Sequence, residues 1–164
     1  MNLSQSQLSI LAAAVRAETD PTFVAMRIAN NEDGMAGFYN QLLTPAFICW
    51  RTTVSQDEIM QNGFDWTRVD NLSVGKGRVW EWLFANATRT INPSKANVRA
   101  GIDQTWVGTA ADLAVRTAVY SHCKRSATRG EKLYTAGTGT DGVPATFGVE
   151  GSITAQNISD ALRV

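Results

Sequence analysis

The chain reads as a mainly α protein: a compact bundle of short to medium helices followed by an extended, partly β C-terminal arm. Three observations predict this. Helix-capping pairs recur, notably Ser4 with Gln7 and Ser55 with Glu58. Apolar residues between such pairs repeat at helical spacing, as in Leu8, Leu11 and Val15. From Ala145 onward the pattern becomes alternating, the period of a strand. At 164 residues and 44% hydrophobic content, the chain can bury a substantial core.

The first helix starts at Ser4. A second follows Asp20, an N-cap with Pro21 in the first helical position, and carries Val24, Met26 and Ile28. Residues 34–43 form a third, clustering Phe38, Tyr39 and Leu42, and Pro45 stops it. The apolar stretch Phe47-Ile48-Cys49-Trp50 precedes the capping box at Ser55. The helix this box starts runs through Ile59 and Met60 and ends at Asn62-Gly63. Over residues 73–90, Val79, Trp80, Leu83 and Phe84 form a bulky stripe, and Trp82 lies off it, on a face open to a contact surface. Asn92-Pro93-Ser94 breaks the chain and caps a helix with Val98, Ile102 and Trp106. Residues 110–124 carry Leu113, Val115, Val119 and Tyr120, with a basic C-terminal end that complements the helix dipole. A turn or short helix over 128–134 completes a helical body, residues 1–136.

Residues 137–164 read as a hinged arm. Gly137, Gly139 and Gly142 form the hinge. Phe147, Val149 and Ile153 share one face of the extended segment, opposite Thr146, Glu150 and Ser152. Thr154 then caps a short helix through Ile158 and Leu162. Burying three apolar side chains contributes about 5–8 kcal/mol, less than the cost of ordering so many residues. An ordered arm therefore needs a surface, either its own body or a neighbouring subunit. Phe147, Val149, Ile153 and Leu162 are its candidate contacts.

A net charge of zero conceals segregation. Residues 1–75 hold four basic and eight acidic side chains, residues 76–136 hold ten and four, and residues 137–164 hold one and three. Such a split suits head-to-tail packing of identical subunits, a basic face turned toward DNA, or internal neutralisation. Lys124, Arg125, Arg129 and Lys132 are the candidates to face DNA or an acidic partner. No apolar run approaches the ~18 residues of a membrane span. The longest, residues 10–15, has no basic residues before it, so the chain is expected to be cytosolic in origin. Cys49 and Cys123 are then expected as buried thiols.

The residues offer little chemistry, and the chain is not expected to be an enzyme. His122 and Cys123 are adjacent on a helix and point about 100° apart, so they do not form a nucleophile–base pair. One histidine and two distant cysteines do not compose a usual zinc site. Gly137-x-Gly139-x-x-Gly142 matches the dinucleotide fingerprint in letters but lacks the preceding strand and following helix that the mechanism needs. Gly75-Lys76-Gly77 lacks phosphate-loop spacing. No catalytic, cofactor or metal site is expected.

Several stretches together carry a resemblance: Trp50-Arg51-Thr52-Thr53-Val54-Ser55-Gln56-Asp57-Glu58-Ile59, Gly63-Phe64-Asp65-Trp66-Thr67, Asn92-Pro93-Ser94, Gly101-Ile102-Asp103 and Tyr120-Ser121-His122-Cys123-Lys124-Arg125. They resemble small structural proteins of tailed bacteriophages, over about residues 46–136. The size, helical body and arm are similar to those of head–tail connector (adaptor or neck) proteins. The resemblance implies a homo-oligomeric ring of about twelve copies beneath the portal protein. The arm would reach onto the portal or an adjacent subunit, and a tail or nozzle protein would follow below. DNA would pass through the lumen, in contact without sequence preference, and the protein would reside in the virion neck after synthesis in the bacterial cytoplasm. Two other classes compete. A small terminase-like packaging protein would need a basic recognition helix near one end, where this N-terminus is acidic. A capsid decoration protein would also use arms.

Overall fold

A computed structural model describes residues 1–61 and 64–164; Asn62-Gly63, read above as a helix end, lie outside the described residues. The fold is mainly α. Helix α1 (Gln5–Ala17) begins at the expected box, with Ser4 N donating to Gln7 Oε1 at 2.8 Å. Helix α2 (Pro21–Ile28) is capped by Asp20, whose Oδ1 accepts from the Thr22 and Phe23 amides. Helix α3 (Glu32–Tyr39) starts two residues earlier than predicted, because Asn31 Oδ1 accepts from Gly34 N and supplies the cap. It also ends well before Pro45.

Strand β1 (Ile48–Trp50) follows, then β2 (Val54–Ser55) and α4 (Gln56–Ile59), started by the Ser55–Glu58 box. Helices α5 (Trp66–Asp70) and α6 (Val74–Leu83) come next. Residues predicted to prolong α6 turn back instead and give β3 (Thr90–Ile91), which pairs antiparallel with β2, Val54 facing Ile91. Helix α7 (Ala96–Thr105) has Lys95 at its N-cap with no side-chain hydrogen bond. The expected cap at Ser94 is therefore displaced: its hydroxyl donates to Asn92 Oδ1 within the turn. Helix α8 (Ala110–His122) carries a Thr109–Asp112 box. The chain continues through β4 (Lys124–Ser126), α9 (Arg129–Lys132), β5 (Thr135–Ala136), β6 (Ala145–Phe147) and α10 (Ala155–Leu162).

The chain divides into two units, Met1–Cys49 with Ser126–Val164, and Trp50–Arg125. This replaces the expected division into a body and an arm at residue 137. A four-stranded sheet has the order β4–β1–β6–β5. In the first unit, Leu11, Val15, Phe23, Met35 and Phe38 share a core with Ile153, Ile158 and Ala161. The second unit has its own core, in which Phe64, Trp80, Phe84 and Trp106 pack edge-on or stacked at centroid distances of 5.1–6.0 Å.

The division also sorts charge. The first unit holds five basic and eight acidic side chains, a net −3. The second holds ten and seven, a net +3.

Candidate functional site

The question left by the C-terminal segment, its own body or a neighbour, is answered in favour of its own body. The glycines expected as a hinge lie in the loop of a hairpin: β5 and β6 pair antiparallel, Thr135 with Phe147 and Ala136 with Thr146. Gly137 and Gly139 take φ of +119° and +69° there, conformations that side-chain-bearing residues avoid. Beyond the hairpin, Ile153 is 2% exposed and belongs to the first unit's core. Val149 and Leu162 are half-buried against the same core, and Phe147 flanks the small cluster of Cys49, Ala127 and Ala145. Of the four candidate contacts, Ile153 is committed to intramolecular packing, whereas Phe147, Val149 and Leu162 keep a partly exposed surface.

Two polar clamps hold the segment. Asn40 Nδ2 donates to Ile153 O and its Oδ1 accepts from Ile153 N, both at 2.8 Å, the pattern of a strand pair made by one side chain. Glu131, 2% exposed, accepts from Thr128 N as part of the α9 capping box and from Gly151 N, each at 3.0 Å. Neither clamp is visible in the sequence, because 113 and 20 residues separate the partners. Gly130 is a small residue for the same reason: a Cβ there would lie 2.6 Å from Ile153 Cγ1.

The four basic candidates do not fall in one unit. Lys124 and Arg125 belong to the second, Arg129 and Lys132 to the first. Three of them stand over aromatic rings. Lys124 Nζ is 5.5 Å from the centre of Trp50, Arg129 Cζ is 4.3 Å from Phe38 and Lys132 Nζ is 5.2 Å from Phe47. Trp82 is 68% exposed, on the open face that its offset from the stripe predicts.

The motifs that carry the phage resemblance all lie in the second unit, and their described residues build it. Trp50 packs on Tyr120 at 5.3 Å and lies under Arg99. Arg51 ties Glu58 to the end of α8 through the His122 carbonyl. Arg99 Nη1 donates to the Pro93 and Ser94 carbonyls, and the Tyr120 hydroxyl donates to Arg99 O and Asp103 Oδ1. Ile102 and Cys123 are fully buried. Burial pushes the Cys123 thiol up to about 12, so the group stays protonated and unreactive at neutral pH. Cys49 is likewise a buried thiol. Among the described residues, no three His, Cys, Asp or Glu side chains are grouped to hold a metal ion.

One concave feature of the first unit escaped the sequence reading. A cleft of about 310 Å³ is lined by Ala14, Ala17, Glu18, Tyr39, Arg129 and Leu133. Tyr39 is 3% exposed, edge-on to Phe23 and Phe38, and its hydroxyl has no hydrogen-bond partner among the described residues. Burial, reinforced by the charge of Glu18, pushes that hydroxyl up to about 12 and keeps it a donor. Arg129 Nε is also buried without a partner among the described residues. Glu18, Tyr39 and Arg129 come from the end of α1, the end of α3 and the start of α9, so no sequence spacing announces them. No family model, curated protein or solved structure matches this chain.

Proposed function

We propose that the chain is a structural subunit of a tailed-bacteriophage neck, a head–tail connector that assembles as a ring beneath the portal and lets DNA pass. The phage resemblance of the second unit supplies the class. The observation that carries the assembly part is the opposite charge of the two units, −3 and +3. Identical subunits built this way attract one another head to tail, a heterologous contact that closes into a ring when the rotation allows. Trp82, exposed on α6, is the kind of rigid aromatic that anchors such contacts. Because residues 137–164 are committed to the first unit's core, the contacts of this reading fall on the folded surfaces of both units. The ring would join portal to tail or nozzle protein in the virion.

Sedimentation of the purified chain, alone and mixed with the portal ring of the same phage, tests the reading. The expected result is stoichiometric association of a ring with the portal, weakened by salt and by Trp82→Ala. Failure to bind the portal removes the connector reading. Tight DNA binding with a steep salt slope in a gel shift replaces it with a packaging protein.

A further inference from the structure

Helix α6 turns one face to solvent. Val74, Arg78 and Trp82 recur at every fourth residue and so lie along one stripe. All three are exposed, Val74 by 79% and Trp82 by 68%, while Trp80 and Phe84 belong to the second unit's core. Two large apolar side chains on one exposed stripe, one of them a tryptophan, are a cue to a protein contact. The charge between them is uncommitted: among the described residues Arg78 makes no hydrogen bond or ion pair.

The first unit carries the complement. On α3, Asp33 and Gly37 are exposed at the same four-residue spacing, while Met35, Phe38 and Tyr39 are buried. Asp33 likewise makes no hydrogen bond or ion pair among the described residues. Gly37 lies inside the helix, where glycine is unfavourable, yet a Cβ added there would meet nothing within 4 Å. Packing within one chain therefore does not require the glycine. It leaves a flat patch of bare backbone on which a bulky side chain can sit. Just before α3, Ile28 is 78% exposed at the end of α2.

Two matches select a second copy of the chain as the occupant. Arg78 and Asp33 are opposite charges, carried by units of net +3 and −3. Both stripes also step by four residues. Seating Arg78 against Asp33 therefore places Trp82 or Val74 on Gly37, according to the direction of the two helices. The other then falls toward the turn that Ile28 enters. A nucleic acid would need several cations on this face. Helix α6 offers Arg78 beside an exposed Glu81, and Lys76 Nζ is tied to the Val107 carbonyl at 2.8 Å.

We propose that α6 of one copy docks on α3 of the next, with Arg78 paired to Asp33 across the contact. This contact supplies the two faces of the head-to-tail assembly proposed above and rests on that reading.

The test is sedimentation of the full chain, alone and on the portal ring, in whichever of these states it assembles. Arg78→Glu and Asp33→Arg are each expected to weaken assembly about tenfold, since each sets like charges opposite one another. Both positions are exposed, so the thermal midpoint of each variant, read by circular dichroism, should stay within about 4 °C of the parent. An equimolar mixture of the two variants separates this contact from others. In it each intact Arg78 meets an intact Asp33, and the two introduced charges meet each other. Assembly should then recover to within about threefold of the parent. Gly37→Gln should weaken assembly while the thermal midpoint of the unassembled chain holds or rises. A parent that assembles while the mixture stays as weak as either variant overturns this contact and leaves the head-to-tail reading standing. Single variants that assemble like the parent do the same. A parent that stays monomeric both alone and on the portal removes the assembly and the contact together.

Discussion

Replacing Asn40 by alanine removes both halves of the clamp on Ile153. The Asn40 amide makes two 2.8 Å hydrogen bonds to the Ile153 backbone, whose side chain is 2% exposed. Each buried backbone group left without a partner costs about 1–3 kcal/mol. Asn40 itself is half-buried, so water recovers part of this and a total of about 2–4 kcal/mol is expected. Asn40→Asp should lose a similar amount, because a carboxylate oxygen would then face the Ile153 carbonyl. Tryptophan fluorescence is the wrong probe, since all five tryptophans lie in Trp50–Arg125. Amide hydrogen exchange in α10 reads the docking directly. At about 1.4 kcal/mol per decade, protection there should fall roughly 30- to 1,000-fold. Protection within about twofold of the parent would refute the argument that this clamp holds residues 137–164 on the first unit.

Other perturbations probe the remaining contacts. Gly148→Ala places a Cβ 2.5 Å from the Tyr134 carbonyl oxygen, and a loss of about 1–3 kcal/mol is expected in chemical denaturation followed by circular dichroism; an unchanged midpoint contradicts this close approach. In the second unit, Arg68 Nη2 donates to Asp112 Oδ1 at 2.6 Å and, with Thr109, holds the Asp112 carboxyl down to about 2. A depressed folded pKa stabilises fully above the unfolded aspartate value near 4 and is lost as pH falls toward 2. Tryptophan fluorescence across pH 2–5 should show that loss, and Arg68→Ala should flatten it; an equally steep profile in the variant would assign the acid limb to other groups. Cys49 and Cys123 are both 0% exposed, so a thiol reagent at pH 8 should titrate both in denaturant and neither in native buffer. Prompt native reaction would show that one of these cores opens readily.

Much of the local structure was legible from short spacings. The boxes at Ser4 and Ser55, the caps at Asp20 and Thr154, and the short helix after Thr128 need only neighbours within three or four residues. The stripe of Trp80, Leu83 and Phe84 and the outward face of Trp82 follow from helical period alone. Predicted ends drifted where a local rule competed with a distant one: residues 84–91 leave the helix to pair β3 with β2, a contact 37 residues apart in sequence at Val54 and Ile91.

The amino-acid sequence by itself determined the mainly α class, most helix starts and the uneven spread of charge, because each depends on composition or on residues close along the chain. Tertiary structure alone decided that residues 137–164 complete a core instead of leaving it, that the boundary between units falls at Cys49 and Arg125, and that Glu18, Tyr39 and Arg129 meet. Those outcomes rest on pairs such as Asn40 with Ile153, 113 positions apart, where the chain between must first be arranged before two hydrogen bonds can form. No short-range pattern encodes such a meeting, since its free energy is gained only after the chain between has folded.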